Sequence, residues 1–413
     1  MIDINALAIN PITKQQNISI TTYKWFIFFL VVSLFAPPIP IGISGTGSSV
    51  SFGIVIISFY IVWRILKQNA LFLSPFKTYG FFVNGLVFFM IIHCLYYLAV
   101  MHKFTVFLYE IQWTVYFLGL SLLYFDTRQN QELQNKLMKS TIFLHFLLAV
   151  TGFISSFSGP FYKYAVGWYE GRYGFNLYRA IGTSGSANGL AGTMAIFLII
   201  SIFAKKEWLP FKRWFLIFGF SLVLLLTQSK SGILAFVLGF GILAFIQFLF
   251  DFSFKKLFRL YSFFGILVSL FYIFNKFITI TINDGADRVN YIEHVLNQYG
   301  ESNLLYKLFG LGFRQTAYLN TETLGWVTAH NSYVSFLAEI GIIGFGILIG
   351  MIVISFILLL KKKLWSILGG LLVFLFHLYS EGFLYGSTYI LYLVLFFNFA
   401  IFYNKLNKVT NSQ

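Results

Sequence analysis

The sequence predicts an all-α, polytopic membrane protein of about twelve transmembrane helices, and three observations carry that prediction. First, only 10% of its 413 residues are charged and 58% are hydrophobic, with a mean hydropathy of +0.78. A soluble domain carries about 25% charged residues, so this inventory does not cover a water-facing surface. Second, the apolar residues gather into twelve stretches of roughly the 20 residues that a bilayer core requires. Third, basic residues recur in alternate loops, as membrane topology demands. A soluble enzyme, a nucleic-acid reader and a disordered scaffold are excluded as classes. Cys94 is the single cysteine and lies in an apolar run, so neither a disulfide within the chain nor a cysteine metal site is available.

The stretches fall near 23–43, 50–66, 79–100, 104–124, 139–158, 188–204, 211–227, 231–250, 257–280, 333–360, 364–380 and 386–404. The first follows a polar head and ends in Pro37, Pro38 and Pro40. It lacks a clean small-residue cleavage site and reads as an uncleaved span. With the N-terminus inside, 20 of the 29 Lys and Arg fall in cytosolic loops, and both termini are cytosolic. The other nine are Lys103, Lys163, Arg172, Arg179, Lys230, Lys276, Arg288, Lys307 and Arg314. Seven of these nine sit in the 159–187 connection, the Ser229–Ser231 break and the 281–332 loop. That loop has 52 residues, a length that usually marks function. No internal repeat is visible, and 1–413 reads as one membrane domain carrying 281–332 as an outer cap.

Within the cap, Val289, Ile292, Val295 and Leu296 recur at helical spacing. A short amphipathic helix on the outer interface fits, ended by Gly300, with Arg288 on its polar side. Gly310-Leu-Gly312 makes a turn ahead of Arg314.

Spans six, eight and ten run from outside to inside, so their N-termini face outward. They are preceded by Gly182-Thr-Ser-Gly-Ser-Ala-Asn188, by Ser229-Lys-Ser-Gly232 and by His330-Asn-Ser332. Each supplies a hydroxyl or amide suited to an N-cap. A helix start also presents N–H groups and a positive dipole end to an anion. With Arg172, Arg179, Lys230, Arg288 and Arg314 nearby, these starts favour a phosphate or pyrophosphate, and Asn188 and Asn331 join them as binding candidates. Beside such a ligand, His330 acts as general base or stays charged as a clamp. Tyr333 and Glu339, on the same span, are further candidates; Glu110 and Glu339 are intramembrane carboxylates near the outer end, a default signal of function. His93, His145 and His377 lie within spans as buried or interfacial polar groups, and His102 and His294 lack a constellation. No metal is expected, because the outer acids form no convincing pair except Asp284 and Asp287.

At these residues the sequence resembles the O-antigen polymerase and O-antigen ligase family of bacterial membrane glycosyltransferases. Tyr178-Arg-Ala-Ile-Gly-Thr-Ser-Gly-Ser-Ala-Asn-Gly-Leu-Ala191 is similar to the family's Arg-x-x-Gly…Asn-x-x-Ala stretch. Leu226-Thr-Gln-Ser-Lys-Ser-Gly232 resembles its Thr-x-Ser-Arg motif, with Lys230 in place of the arginine, which keeps the charge and loses the bidentate fork. Arg288 followed by Phe309-Gly-Leu-Gly-Phe313 resembles its lead-in. Ala329-His-Asn-Ser-Tyr-Val-Ser-Phe-Leu-Ala-Glu-Ile-Gly-Ile-Ile-Gly344 resembles its His-Asn…Gly-x-x-Gly signature. Together the motifs span 178–344.

The resemblance implies a GT-C-like helical fold and inverting, metal-independent glycosyl transfer on the periplasmic face of the bacterial inner membrane, with no cofactor. The donor it implies is a glycan on undecaprenyl pyrophosphate, and Arg288 and His330 match the family's essential basic residues. Polymerase and ligase share that donor. The Phe-rich chain, with 53 Phe, and its departure at Lys230 favour a polymerase, for which the family also implies a chain-length regulator as partner. A ligase acting on lipid A–core is the alternative. A lipid-linked oligosaccharide flippase ranks below both, because repeated halves and midplane sites characterise transporters.

Overall fold

The computed structural model describes residues 11–36, 39–40, 49–50, 52–68, 78–128, 130–159, 161, 177–184, 186–250, 265, 282–313, 315, 331–380 and 387–403. Among them, the helices are α1 (Pro11–Phe35), α2 (Gly53–Gln68), α3 (Thr78–Ala99), α4 (Phe104–Thr127), α5 (Gln131–Ser158), α6 (Ala187–Phe203) and α7 (Arg213–Leu226). They continue as α8 (Lys230–Phe250), α9 (Ile282–Glu301), α10 (Leu304–Phe309), α11 (Ser332–Lys361), α12 (Trp365–Ser380) and α13 (Ser387–Phe402). A 3₁₀ turn at Lys206–Trp208 and a two-residue antiparallel ladder, Ile39 to Val50 and Pro40 to Ser49, complete the description. Five helices (α3, α4, α5, α8 and α11) are long and apolar enough to cross a membrane, and α1, α6, α7, α12 and α13 contribute shorter apolar stretches. The chain is thus a helical protein of membrane-protein character. Eleven of the twelve predicted stretches coincide with helices, and the ninth, 257–280, lies outside the described residues.

Boundaries move where local chemistry outweighs hydropathy. The first stretch is expected at 23–43, yet α1 begins in the polar head and stops at Phe35, just ahead of Pro37 and Pro38. Proline removes a helix donor and disfavours helical backbone in the residue before it. Helix α5 starts at Gln131 rather than 139 because the Asn130 side chain caps it, accepting from the Leu133 N–H at 3.0 Å. The amphipathic helix is longer than its visible pattern, and α9 passes Gly300 to end at Glu301. The largest departure is in α11, expected to be continuous over 333–360 but broken at Gly341 (φ 65°, ψ −179°).

The core is organised around α6. Residues 190–201 of this helix are all buried, with Leu190, Met194, Phe197 and Ile200 fully so. Helices α7, α8 and α12 pack around it. Small residues set their distance: a Cβ on Gly232 would meet Ala191 Cβ at 2.5 Å, and one on Gly239 would meet the Val373 backbone N at 2.9 Å. Close approach of this kind replaces the hydrophobic drive that lipid does not supply between helices.

Long-range side-chain bonds sort the helix ends into two layers. One end, rich in basic residues, carries Arg64 on Asp126 at 2.9 Å, Trp208 Nε1 on Asn135 at 2.7 Å, Lys205 Nζ on the Tyr403 hydroxyl at 3.0 Å and Lys362 Nζ on the Ile401 carbonyl at 2.9 Å. The other carries Thr183 on the Leu34 carbonyl, Tyr97 on the Gly310 carbonyl and Lys103 on Gln315. Loops assigned from charge to opposite faces of a membrane therefore sit at opposite ends of the bundle.

Candidate functional site

Three helix starts carry side-chain caps at the less basic end. Helix α6 is capped by Ser186, whose side chain accepts from the Gly189 N–H at 3.3 Å. Helix α8 begins behind Ser229, whose hydroxyl accepts from the Gly232 N–H at 3.4 Å and lies 3.0 Å from the Ser231 hydroxyl. Helix α11 is capped by Asn331, whose Oδ1 accepts from both Tyr333 and Val334 N–H at 3.0 and 3.1 Å. The cap chemistry expected from sequence operates at each start. Asn188, expected among the ligand-binding groups, is the second residue of α6 and serves as a hydrogen-bond acceptor for Arg179.

Arg179 joins the start of α6 to the end of α7. Its Nε donates to the Thr227 carbonyl at 2.9 Å and its Nη2 to Asn188 Oδ1 at 3.0 Å. The residue is only 3% exposed. Around it the 178–182 segment is pinned: Ala180 N–H donates to the Leu226 carbonyl, and the Ser155 hydroxyl accepts from Ile181 and Gly182 N–H at 3.0 and 2.9 Å. Gly182 (φ 59°) is required here, since a Cβ would meet Thr151 Oγ1 at 2.6 Å. Through its bonds to Leu226 and Thr227 the segment lies beside the Gln228–Ser229–Lys230 start of α8, where Lys230 is half-buried.

The outer-loop turn docks into the break of α11. Leu311 N–H donates to the Ala338 carbonyl at 2.8 Å and Gly312 N–H to the Glu339 carbonyl at 2.9 Å. Gly341 interrupts the ladder that would otherwise use these carbonyls, and the turn supplies replacement donors. Gly310 and Gly341 lie back to back, and a Cβ on either would come within 2.3 Å of the other segment's backbone. Beneath the turn, His93 Nε2 bonds the Phe309 carbonyl, Tyr97 donates to the Gly310 carbonyl at 2.8 Å, and Phe313 N–H donates to Glu110 Oε1 at 3.2 Å. His93 Nδ1 lies 2.9 Å from the same carboxylate oxygen. A carbonyl only accepts, so Nε2 carries a hydrogen. At the mouth of this region, burial pulls the Lys103 ammonium below the usual lysine range while it donates to Gln315 at 3.1 Å.

The remaining predicted residues distribute as follows. Tyr333 is on the first turn of α11 and donates to the Leu375 carbonyl at 2.9 Å. Glu339 is fully buried on the same helix, at the break. Arg288 belongs to α9, in the part whose side chains are outside the description. Arg172, Arg314 and His330 lie outside the described residues. Sequence reasoning passed over His93 as a plain polar group, and it left His377 in the same class. The available signal was that both are histidines in apolar helices, but their partners are separated from them by 216 and 189 residues. The chain matches no family model and no curated protein.

Proposed function

We propose that the chain is a GT-C-like glycosyltransferase with twelve spans in the bacterial inner membrane, both termini cytoplasmic, its site on the periplasmic side. In this reading it is an O-antigen polymerase joining undecaprenyl-pyrophosphate-linked oligosaccharide repeat units by inverting, metal-independent transfer. The observation that supports it is the buried Arg179 guanidinium, bonded to Asn188 at the capped start of α6 and to Thr227 three residues ahead of Lys230 at the start of α8, which places helix starts and cations of the kind that suit a pyrophosphate close together.

Within the proposal, Arg288, Arg314 and the half-buried Lys230 hold the donor pyrophosphate and stabilise it as the leaving group. Arg179, already directed at Asn188 and Thr227, braces the wall behind them. His330 takes the acceptor hydroxyl proton as that oxygen attacks the anomeric carbon from the face opposite the pyrophosphate. Docking of the Gly310–Gly312 turn into α11 supports this reading, because it ties the loop carrying Arg288 and Arg314 to the helix that His330 precedes.

Deleting the gene in its host and resolving the lipopolysaccharide on a gel tests the assignment. A polymerase leaves core plus one repeat. A ligase leaves bare core with long glycan accumulating on the lipid carrier. An unchanged ladder overturns both. The flippase reading draws on one observation, the buried His93–Glu110 pair, since transporters place charged groups near the midplane. Glu110 is the seventh residue of α4, which puts it about 9 Å from the helix start at 1.5 Å per residue. That is short of the midplane of a core about 30 Å thick, and the pair anchors the loop turn, so the polymerase reading is preferred.

A further inference from the structure

Resting on the glycosyltransferase reading, we propose that His377 is a positioning residue of the transfer site, holding the start of α6 and, through Asn188, the Arg179 guanidinium. His377 is fully buried near the end of α12. Its Nε2 lies 3.1 Å from the Asn188 carbonyl oxygen, and its Nδ1 lies 3.3 Å from the Tyr389 hydroxyl. The carbonyl only accepts, so the hydrogen is on Nε2, and Nδ1 accepts from Tyr389. Both ring nitrogens thereby have a partner.

The ring is seated by the absence of a side chain opposite. A Cβ on Gly192 would come within 2.5 Å of His377 Cε1, and Tyr389 stacks nearly parallel at 17°. Asn188 carries the consequence outward. Its backbone oxygen receives His377, and its side-chain oxygen receives Arg179 Nη2 at 3.0 Å, while Arg179 Nε reaches Thr227 at the end of α7. The same stretch of α12 also holds α11, because the Leu375 carbonyl accepts the Tyr333 hydroxyl at 2.9 Å. The last turns of α12 therefore fix the starts of α6 and α11 relative to one another, and so the Asn188–Arg179 pair relative to Asn331 and the chain leading from His330. An imidazole buried in an apolar helix is costly unless hydrogen-bonded, and an aliphatic residue would fill the volume. Here the polar atoms are directed at the wall of the site. His377 does not reach the reacting atoms, so its action is through Asn188.

The test uses the full chain in lipid nanodiscs with the host's own polyprenyl-diphosphate-linked oligosaccharide, following kcat and KM for that donor alongside the thermal midpoint. His377→Phe keeps a ring and loses both bonds; His377→Gln places an amide N–H where Nε2 was. The expected result is a fall in kcat of about 10- to 100-fold for His377→Phe, the scale of a small misplacement at a reacting centre, with a much smaller change in KM. His377→Gln is expected to recover most of it, and Gly192→Ala, which displaces the ring, to reproduce the loss. Equal activity of the Phe and Gln variants, whether both intact or both lost, overturns the proposal. If the wild-type protein transfers nothing, the glycosyltransferase reading fails by itself. Amide exchange over 187–193 and 332–336 then decides: faster exchange in both segments for His377→Phe and not for His377→Gln sustains the positioning role, and unchanged exchange overturns it.

Discussion

At the basic end of the bundle, Arg64 is buried against a carboxylate: Nε and Nη2 take Asp126 Oδ2 and Oδ1 at 2.9 and 3.1 Å, and Tyr60 donates to Oδ2 at 2.7 Å. At the opposite end Arg179 is equally buried, but the bonds described for it go to a carbonyl and an amide oxygen. The first guanidinium is paired with its counter-charge, so its bonds close an ion pair. The bonds described for the second run to neutral oxygens and fix its orientation. In a sequence the two look alike, since both are arginines close to an apolar stretch. The described partners differ: Arg64 ties α2 to α4 across the basic end, and Arg179 ties the 178–182 segment to α6 and to the end of α7.

Variants that strike each end in turn break or sharpen this contrast. The largest effect is expected on activity at the site end: Arg288→Ala or His330→Ala should each lower transfer by about 10²-fold or more, with the thermal midpoint in detergent nearly unchanged. At the basic end, Arg64→Ala should instead destabilise by about 3–5 kcal/mol, because it leaves a buried carboxylate unpaired, while the folded fraction retains its specific activity. Thermal unfolding followed by size-exclusion chromatography reads this, and the contrast collapses if Arg64→Ala is silent.

Gly341→Ala comes next. It places a Cβ within 2.3 Å of the Leu308 carbonyl at a φ of 65°, a combination expected to cost about 1–3 kcal/mol and to undock the turn. Protease cutting within 302–315 should accelerate in that variant. Asn331→Ala removes the α11 cap, for about 1 kcal/mol, and should lower activity more than stability if the cap also orients His330. The smallest effect belongs to Lys362, at the basic end. Burial holds its ammonium below the usual lysine range, so the folded chain binds this proton less tightly than the unfolded one. Stability should therefore rise slightly with pH through the window just below the ordinary lysine value, and Lys362→Met should flatten that rise.

Much of this contrast was legible before the structure. The cap residues Ser186, Ser229 and Asn331 identify their helix starts through side-chain oxygens that act within a few residues, and the Gly310-Leu-Gly312 turn is where the glycines place it, with φ of 87° and 93°. The break at Gly341 was not legible. A glycine in an apolar run is compatible with a continuous membrane helix, and only the turn arriving from 30 residues upstream supplies donors that make the break affordable. The place of Arg179 was half legible: the sequence puts it in a connection between apolar stretches, but its partners are a carbonyl 48 residues away and an amide at the start of α6.

The sequence by itself determined the class of protein, the apolar helices, their alternation and the chemistry of their ends. Each of these depends on composition or on bonds between near neighbours, which a linear pattern records. Tertiary structure decided which helix ends meet, where α11 breaks, why His93 and His377 stand in apolar helices, and what each buried arginine bonds. Those outcomes depend on pairs of groups far apart along the chain. In a bundle where almost every surface is apolar, hydrophobicity does not distinguish one pairing from another; the few buried polar groups and the glycines that admit them select the register.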